Sequence, residues 1–102
     1  MKTLATLRQQ LSRGEFEFSR HAFRRAVERN ISATEIRQAG ANAKIIEDYP
    51  DDKYSPSCLL LGFIEGGRPL HIQVSYVDAD LVKMITLYEP DEGEWIDFAQ
   101  RR

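Results

Sequence analysis

The chain has 102 residues, 42% hydrophobic and 29% charged, which suits one small folded domain and excludes a disordered chain. No apolar run approaches membrane-spanning length, the N-terminus lacks a signal-peptide core, and a single cysteine excludes an internal disulfide, so a cytoplasmic protein without membrane contact is predicted. The net charge of −2 conceals +5 over residues 1–44 and −7 over residues 45–102, which predicts either a polyanionic partner or two halves that neutralise each other.

Two helices are predicted at the start of the chain. Thr3 is a suitable N-cap for a first helix within residues 1–14, which has leucines along one side and Gly14 as its stop. Ser19 is the predicted cap of a second helix that runs to about Asn30. Its inner face is predicted to consist of Phe23, Ala26 and Val27.

A third helix has the most specific start signal in the chain. Ser32 and Glu35 have the spacing of a capping box, and Ile31 and Ile36 stand at the two positions of a hydrophobic staple. Gly40 is the predicted end of this helix.

Four strands are predicted after the helices, because the hydrophobic period changes and turn residues follow at short intervals. Gly66-Gly67 is a two-residue hairpin signal, and residues 50–57 form a polar turn segment. The predicted fold is an α+β domain in which N-terminal helices pack on a four-stranded antiparallel sheet, and residues 91–102 form an acidic tail. The four predicted strands are residues 43–49, 58–65, 69–77 and 81–88.

Alternation along the strands assigns side chains to the two faces of the sheet. Leu70, Ile72, Val74 and Tyr76 are predicted to lie under the helices, and His71, Gln73 and Ser75 on the opposite face. On the last strand Met84, Thr86 and Tyr88 are predicted to share a face, which the sequence does not identify. If that face includes His71 and Gln73, a polar surface of His, Gln, Thr and Tyr results.

A basic stripe on the second helix is the most informative feature of the chain. His21, Arg25 and Arg29 recur every four residues and therefore share one side of a helix, with Arg24 beside them. Like charges so close together repel one another, which favours an anion over the stripe: a phosphate or a carboxylate cluster.

The residue types suit metal-independent cleavage of RNA, which carries its own nucleophile in the 2′-hydroxyl group. Such cleavage needs an acid or base and cations for the phosphate, and it needs no metal or other cofactor. Histidine titrates near neutrality, and arginine binds phosphate through two parallel hydrogen bonds. The predicted catalytic residues are His21, Arg25, His71 and Tyr88, and the predicted RNA phosphate contacts are Arg24, Arg25 and Arg29.

Each of these residues also has a structural interpretation. His21 could cap the helix or pair with Glu17, the arginines could pair with Glu28 or with the acidic second half, and His71 could be a half-buried histidine that donates to a neighbour. Tyr88 could lie in the core with its hydroxyl at the rim. The remaining aromatic and cysteine residues have structural interpretations too: Tyr49 and Tyr54 as packing residues, Cys58 as a small buried hydrophobe, and Trp95 as a cover for the sheet or a partner contact.

Several ordered motifs resemble a bacterial domain of unknown function, DUF family four-two-five-eight, over about residues 18–96. The family is similar to the RelE/ParE/BrnT group of small toxins. The resemblance implies helices packed on an antiparallel sheet. The recurring polar positions of the family motif correspond in this sequence to His21, Arg25, Arg29, His71 and Tyr88. The matching stretches are Ser19-x-His21-Ala22-x-x-Arg25-x-x-Glu28-Arg29-x-Ile31-Ser32, Ile46-Glu47-x-Tyr49-Pro50, Pro56-Ser57-Cys58-Leu59-x-Leu61-Gly62, Pro69-Leu70-His71 and Ile85-Thr86-Leu87-Tyr88-Glu89-Pro90.

The resemblance implies a toxin that cleaves mRNA, free or on the ribosome, and that is held by a cognate antitoxin protein. The sequence pI of about 5.7 departs from the strongly basic character expected of such ribonucleases. The alternative is a non-enzymatic interaction module of the same fold, in which carboxylates such as Glu47, Asp48 or Glu89 cover the arginine stripe. The oligomeric state is open under both hypotheses.

Overall fold

The computed structural model describes residues 1–102, and its elements follow the predicted order with three additional strands. None of the helices is long and apolar enough to cross a membrane. The helices are α1 (Leu4–Ser12), α2 (Arg20–Glu28) and α3 (Ala33–Ala41), and the strands are β1 (Phe16–Phe18), β2 (Lys44–Tyr49), β3 (Ser57–Phe63), β4 (Pro69–Ser75), β5 (Val82–Tyr88), β6 (Trp95–Ile96) and β7 (Gln100–Arg101).

The three helix starts are confirmed by their caps. The side chains of Thr3, Ser19 and Ser32 each accept a hydrogen bond from the backbone N–H three residues later. In α3 the Glu35 carboxylate also accepts from the Ser32 backbone N–H, which completes the capping box. This carboxylate also binds Arg68, and the pKa of Glu35 lies below its ordinary value mainly because of the Ser32 backbone hydrogen bond.

The sheet is mixed and has five strands in the order β1-β5-β4-β3-β2, so the prediction of four antiparallel strands is incomplete. Strands β2 to β5 form the predicted antiparallel meander. The additional strand β1 pairs in parallel with β5, with Phe16 opposite Val82 and Phe18 opposite Met84. It has only three residues between two helices, so it leaves a weak sequence signal.

A bulge in β5 places Met84 on the opposite face from Thr86 and Tyr88, so the prediction that the three share a face is wrong. Val74 pairs with Met84, but the preceding residue Gln73 pairs with Thr86, so one extra residue, Ile85, interrupts the alternation. Met84 therefore lies in the core under the helices, whereas Thr86 and Tyr88 stand on the opposite face beside Gln73 and His71. We call that opposite side the outer face of the sheet.

The predicted inner face of α2 is wrong for two of its three residues. Ala22 and Ala26 are buried, whereas Phe23 is 57% exposed and Val27 is 65% exposed. The small alanines let the helix lie close to β5, which places the larger apolar residues on one flank. The end predicted for α3 is also too early: Gly40 lies inside the helix, where a Cβ atom would stand 2.3 Å from the Cβ of Leu11 in α1.

Residues 91–102 do not form a free tail. Strands β6 and β7 make a hairpin whose turn places both Asp97 and Phe98 at positive φ (52° and 61°), as a tight type I′ turn requires. The left-handed conformation is unusual for a bulky residue such as Phe98. We call residues 91–102 the C-terminal hairpin.

Cys58 is expected to be chemically inert in the folded protein. It is buried on β3, and burial raises the pKa of its thiol to about 11. At pH 8 only about one thiol in a thousand is ionised, so a thiol-specific reagent should react far more slowly with the native protein than with the chain in guanidinium chloride. Comparable rates in the two conditions would contradict the buried position.

Candidate functional site

Helix α2 closes the edge of the sheet where β1 ends. Beyond Met84 no strand pairs with this edge of β5, and α2 supplies the missing donors. The Ser19 hydroxyl donates to the Ile85 carbonyl at 3.0 Å, and the Arg29 guanidinium donates to the Leu87 carbonyl at 3.1 Å. The first and last turns of α2 are thereby fixed along β5, which positions the residues between them.

His21 stands at the outer face of the sheet. Its Nε2 is 3.1 Å from the Thr86 hydroxyl, and no hydrogen bond engages Nδ1. The side chain is exposed and does not pair with Glu17. One ring nitrogen is thus held by the protein while the other is accessible, an arrangement in which a histidine can exchange protons with a bound molecule.

The three stripe residues lie on one flank of α2, as their spacing predicts. Arg25 makes an ion pair with Glu28 at 2.7 Å, one of the alternatives that the sequence left open. The Arg29 guanidinium lies 6.0 Å from the centre of the Tyr88 ring, within reach of a cation–π interaction. Arg24 lies on the exposed crest of the helix, between this flank and the one that carries Phe23 and Val27.

The acidic residues of the second half do not cover this stripe, contrary to what the interaction-module hypothesis predicted within the chain. Glu47 pairs with Arg101, Glu89 pairs with Arg68, and Asp48 accepts a hydrogen bond from the Tyr76 hydroxyl. The only ion pair on the stripe is the local one between Arg25 and Glu28. Arg24 and Arg29 therefore have no carboxylate partner.

His71 is fully buried beneath the C-terminal hairpin. Its ring lies 4.5 Å from the Trp95 ring at 87°, and its Nε2 donates to the Phe98 carbonyl. Nδ1 is 3.2 Å from the Tyr88 hydroxyl. Because Nε2 carries the ring hydrogen, Nδ1 accepts a hydrogen bond from this hydroxyl. Both nitrogens are therefore occupied by the protein, and Trp95 covers the sheet, as one of the sequence alternatives proposed.

Burial controls the protonation of this pair. Desolvation is the main cause that lowers the pKa of His71 below 6.5, although the hydrogen bond to Phe98 opposes it. Desolvation likewise raises the pKa of Tyr88. At neutral pH both side chains are uncharged, as their mutual hydrogen bond requires.

An ion pair fastens the C-terminal hairpin over His71. Arg101 donates to both carboxylate oxygens of Glu47, at 2.8 and 3.2 Å, and its guanidinium lies 4.7 Å from the centre of the Trp95 ring. Glu47 also accepts a hydrogen bond from the hydroxyl of the half-buried Tyr49. The Arg101 hydrogen bond is the largest cause of a pKa of Glu47 below its ordinary value.

A groove of about 870 Å³ runs along the outer face, and His21 lies at one end of it. Its walls are the β1–α2 junction, the end of β4, the start of β5 and the loop of residues 50–56. Its lining is mainly apolar and carries one cation, Lys83, and two carboxylates, Glu17 and Asp52, with Tyr54 as the only large aromatic ring. Tyr54 is 87% exposed, so the prediction that it is a packing residue is wrong.

A family model described as "Domain of unknown function (DUF4258)" matches residues 18–89, more than half of the chain. The chain belongs to this family. No curated protein and no solved structure shows a significant match.

The family match divides the structure in an informative way. It includes α2, the stripe and strands β2 to β5, and it excludes α1, all of β1 except Phe18, and the C-terminal hairpin. His21, His71 and Tyr88 lie in the family region, but the cover over His71 is contributed by residues outside it. The sequence predicts both histidines as catalytic candidates, but His71 follows its structural alternative as a histidine that donates to a neighbour, and it is fully buried rather than half-buried.

Proposed function

We propose that the protein is a metal-independent endoribonuclease that acts on mRNA as the toxin of a toxin–antitoxin pair, with its site at the α2 end of the outer-face groove. The observation that carries the proposal is the position of His21, whose imidazole is accessible at Nδ1 and held at Nε2 by Thr86. The groove leads directly to it. An RNA strand would lie along the groove and reach His21 with its backbone.

Each step of the cleavage has a candidate group. His21 Nδ1 takes the proton of the 2′-hydroxyl, whose oxygen attacks the adjacent phosphorus while the bond to the 5′-oxygen breaks. The products are a 2′,3′-cyclic phosphate and a 5′-hydroxyl, which takes its proton from solvent in the open groove. In the proposed mechanism the ring hydrogen is on Nε2, which lies 3.1 Å from the Thr86 hydroxyl, and this leaves the lone pair on Nδ1.

The arginines supply the positive charge. Arg25 and Arg29 follow His21 by one and two helical turns on the same flank, so they can contact the phosphate and its developing charge. Arg24 adds charge on the crest of the helix for the RNA backbone beyond the cleavage point. Tyr88 orients Arg29 through its ring, and His71 supports Tyr88 from below instead of touching RNA.

The direct test is cleavage of a 5′-labelled single-stranded RNA by the purified protein in EDTA. We expect fragments that end in 2′,3′-cyclic phosphate, and no cleavage of a matched strand with 2′-deoxy sugars, because the nucleophile is then missing. An Arg25→Ala variant should cleave about ten to a thousand times more slowly, as expected when a preorganised cation is removed. Intact RNA with both the isolated protein and protein mixed with ribosomes would refute the enzymatic proposal.

The toxin role has a separate test in cells. Induced synthesis of the wild-type protein in a bacterial host should arrest growth and shorten transcripts, and a His21→Ala/Arg25→Ala double variant should do neither. Co-expression of the product of the neighbouring gene should restore growth if that gene encodes the antitoxin. Unimpaired growth with intact transcripts for the wild type would contradict the toxin role.

A further inference from the structure

Helix α2 has a second flank that the proposed cleavage does not use. Phe23 and Val27 are one helical turn apart and are 57% and 65% exposed. The Phe23 ring lies 5.9 Å from the Phe18 ring in an edge-to-face contact, so the exposed surface continues onto β1. We call Phe18, Phe23 and Val27 the apolar flank.

Phe23 and Val27 expose apolar surface to water and are not part of the core, whereas Phe18 is half-buried and packs against it. The core side of the same helix consists of alanines, and the two large apolar residues stand where polar residues would normally face water. Exposed apolar residues that are adjacent, rather than scattered, are typical of a surface for another molecule.

Positive charge borders the apolar flank. Arg20 and Arg24 are exposed beside it, and neither makes an ion pair or a side-chain hydrogen bond within the chain. A partner that buries Phe23 and Val27 would bring its own side chains close to these guanidinium groups. A partner with complementary charge would therefore carry carboxylates around an apolar centre.

We infer that the apolar flank of α2 binds an acidic amphipathic helix of a partner protein, with apolar residues of that helix packed on Phe23 and Val27 and its carboxylates beside Arg20 and Arg24. One-turn spacing of the two anchors matches the spacing of apolar residues on a helix laid along α2. Phe23 and Val27 lie on the flank away from His21, and only Arg24 is shared with the proposed RNA contacts, so this inference stands whether or not the protein cleaves RNA.

Other occupants fit less well. In a two-fold pairing of α2 with a second copy centred on this flank, Arg24 would face its own counterpart. A nucleic acid would satisfy the arginines but would leave the aliphatic Val27 without an apolar partner. An anionic membrane would receive only two large apolar side chains from this nine-residue helix, which is little to insert.

The test titrates the full-length, isotope-labelled protein with a synthetic helical peptide that carries leucines at i, i+3, i+4 and i+7 and glutamates on either side. We expect saturable amide shifts on α2 and β1. The same peptide with lysines in place of the glutamates should bind at least about tenfold more weakly, since it meets Arg20 and Arg24 with like charge.

Variants locate the surface. Phe23→Ala/Val27→Ala should weaken peptide binding at least about tenfold, which is ordinary for the loss of central apolar anchors. Arg20→Gln should weaken it less and reduce its dependence on salt. The matched control is Ile45→Ala, which removes an apolar side chain of 44% exposure from β2 at the far edge of the sheet and should leave binding unchanged.

Three results would overturn the inference. These are the absence of saturable shifts on α2, equal binding of the acidic and basic peptides, and stronger protection of Phe23 and Val27 by single-stranded RNA than by the acidic peptide. Concentration-dependent dimerisation that the Phe23→Ala/Val27→Ala variant abolishes would assign the flank to a second copy and would also overturn it. RNA cleavage by that double variant should equal that of the wild type, so failure of the cleavage proposal and failure of this one are distinguishable.

Discussion

His21→Ala is expected to slow RNA cleavage by a factor of about 10² to 10⁴, the usual contribution of a general acid or base. The stability of the variant should stay within about 0.5 kcal/mol of the wild type, because the side chain is exposed and makes one hydrogen bond, to Thr86. Initial cleavage rates on a labelled RNA and urea unfolding followed by Trp95 fluorescence measure the two quantities in the same preparation.

Thr86→Val is the matched control for the role of the second ring nitrogen. It removes the hydroxyl that contacts Nε2 but retains the side-chain volume, so binding of RNA should change little while the cleavage rate falls. A Lys44→Ala variant on β2, at the edge of the sheet opposite β1, should leave the cleavage rate unchanged. Wild-type rates for His21→Ala would exclude His21 as the catalytic group.

Local signals in the sequence predicted most of the secondary structure correctly. The Ser32–Glu35 capping box and the Ser19 cap depend only on residues a few positions apart, and both are present. The hairpin predicted at Gly66-Gly67 is also present, but its turn is one residue earlier than predicted, since the Gly67 N–H donates to the Ile64 carbonyl. The positive φ of both turn glycines, 96° and 94°, shows why this dipeptide was informative.

What the sequence could not supply is long-range placement. Strand β1 pairs with a strand more than sixty residues later in the chain. Its three residues are too few to show an alternating pattern from which this pairing could be predicted. The bulge at Ile85 changes the faces of the following residues, and simple alternation misplaced Met84 for this reason. The rotation of α2 depends on how closely its alanines approach β5, which periodicity alone does not fix.

The two histidines illustrate the same limit at the candidate site. Residue types made both His21 and His71 candidates, although a strand histidine such as His71 is more often a half-buried structural residue. Only the C-terminal hairpin distinguishes them, by covering His71 with Trp95 and Phe98 and leaving His21 exposed. An acidic segment with two large apolar residues was a weak signal for such a cover.

His71→Ala is accordingly expected to act on stability, with a loss of about 2–4 kcal/mol in the free energy of unfolding. The substitution leaves a cavity under Trp95, and it removes the partners of the Phe98 carbonyl and the Tyr88 hydroxyl. Urea unfolding should show this loss, and Trp95 fluorescence should report loosening of the C-terminal hairpin. Any decrease in RNA cleavage should follow the unfolded fraction, in contrast to His21→Ala.

The lowered pKa of His71 predicts how the free energy of unfolding depends on pH, and this dependence tests its structural role independently of catalysis. Because burial lowers its pKa in the folded protein, the unfolded chain takes up the proton first as the pH falls below about 6.5. The free energy of unfolding is therefore unaffected by this protonation above about pH 6.5, and it decreases as the pH falls from there through the folded-state pKa. Unfolding measured between pH 7.5 and 5.5 should show a slope that His71→Leu, which fills the same space without titrating, reduces. An equal slope in both proteins would mean that His71 is not held neutral beneath the hairpin, and the distinction drawn between the two histidines would fail.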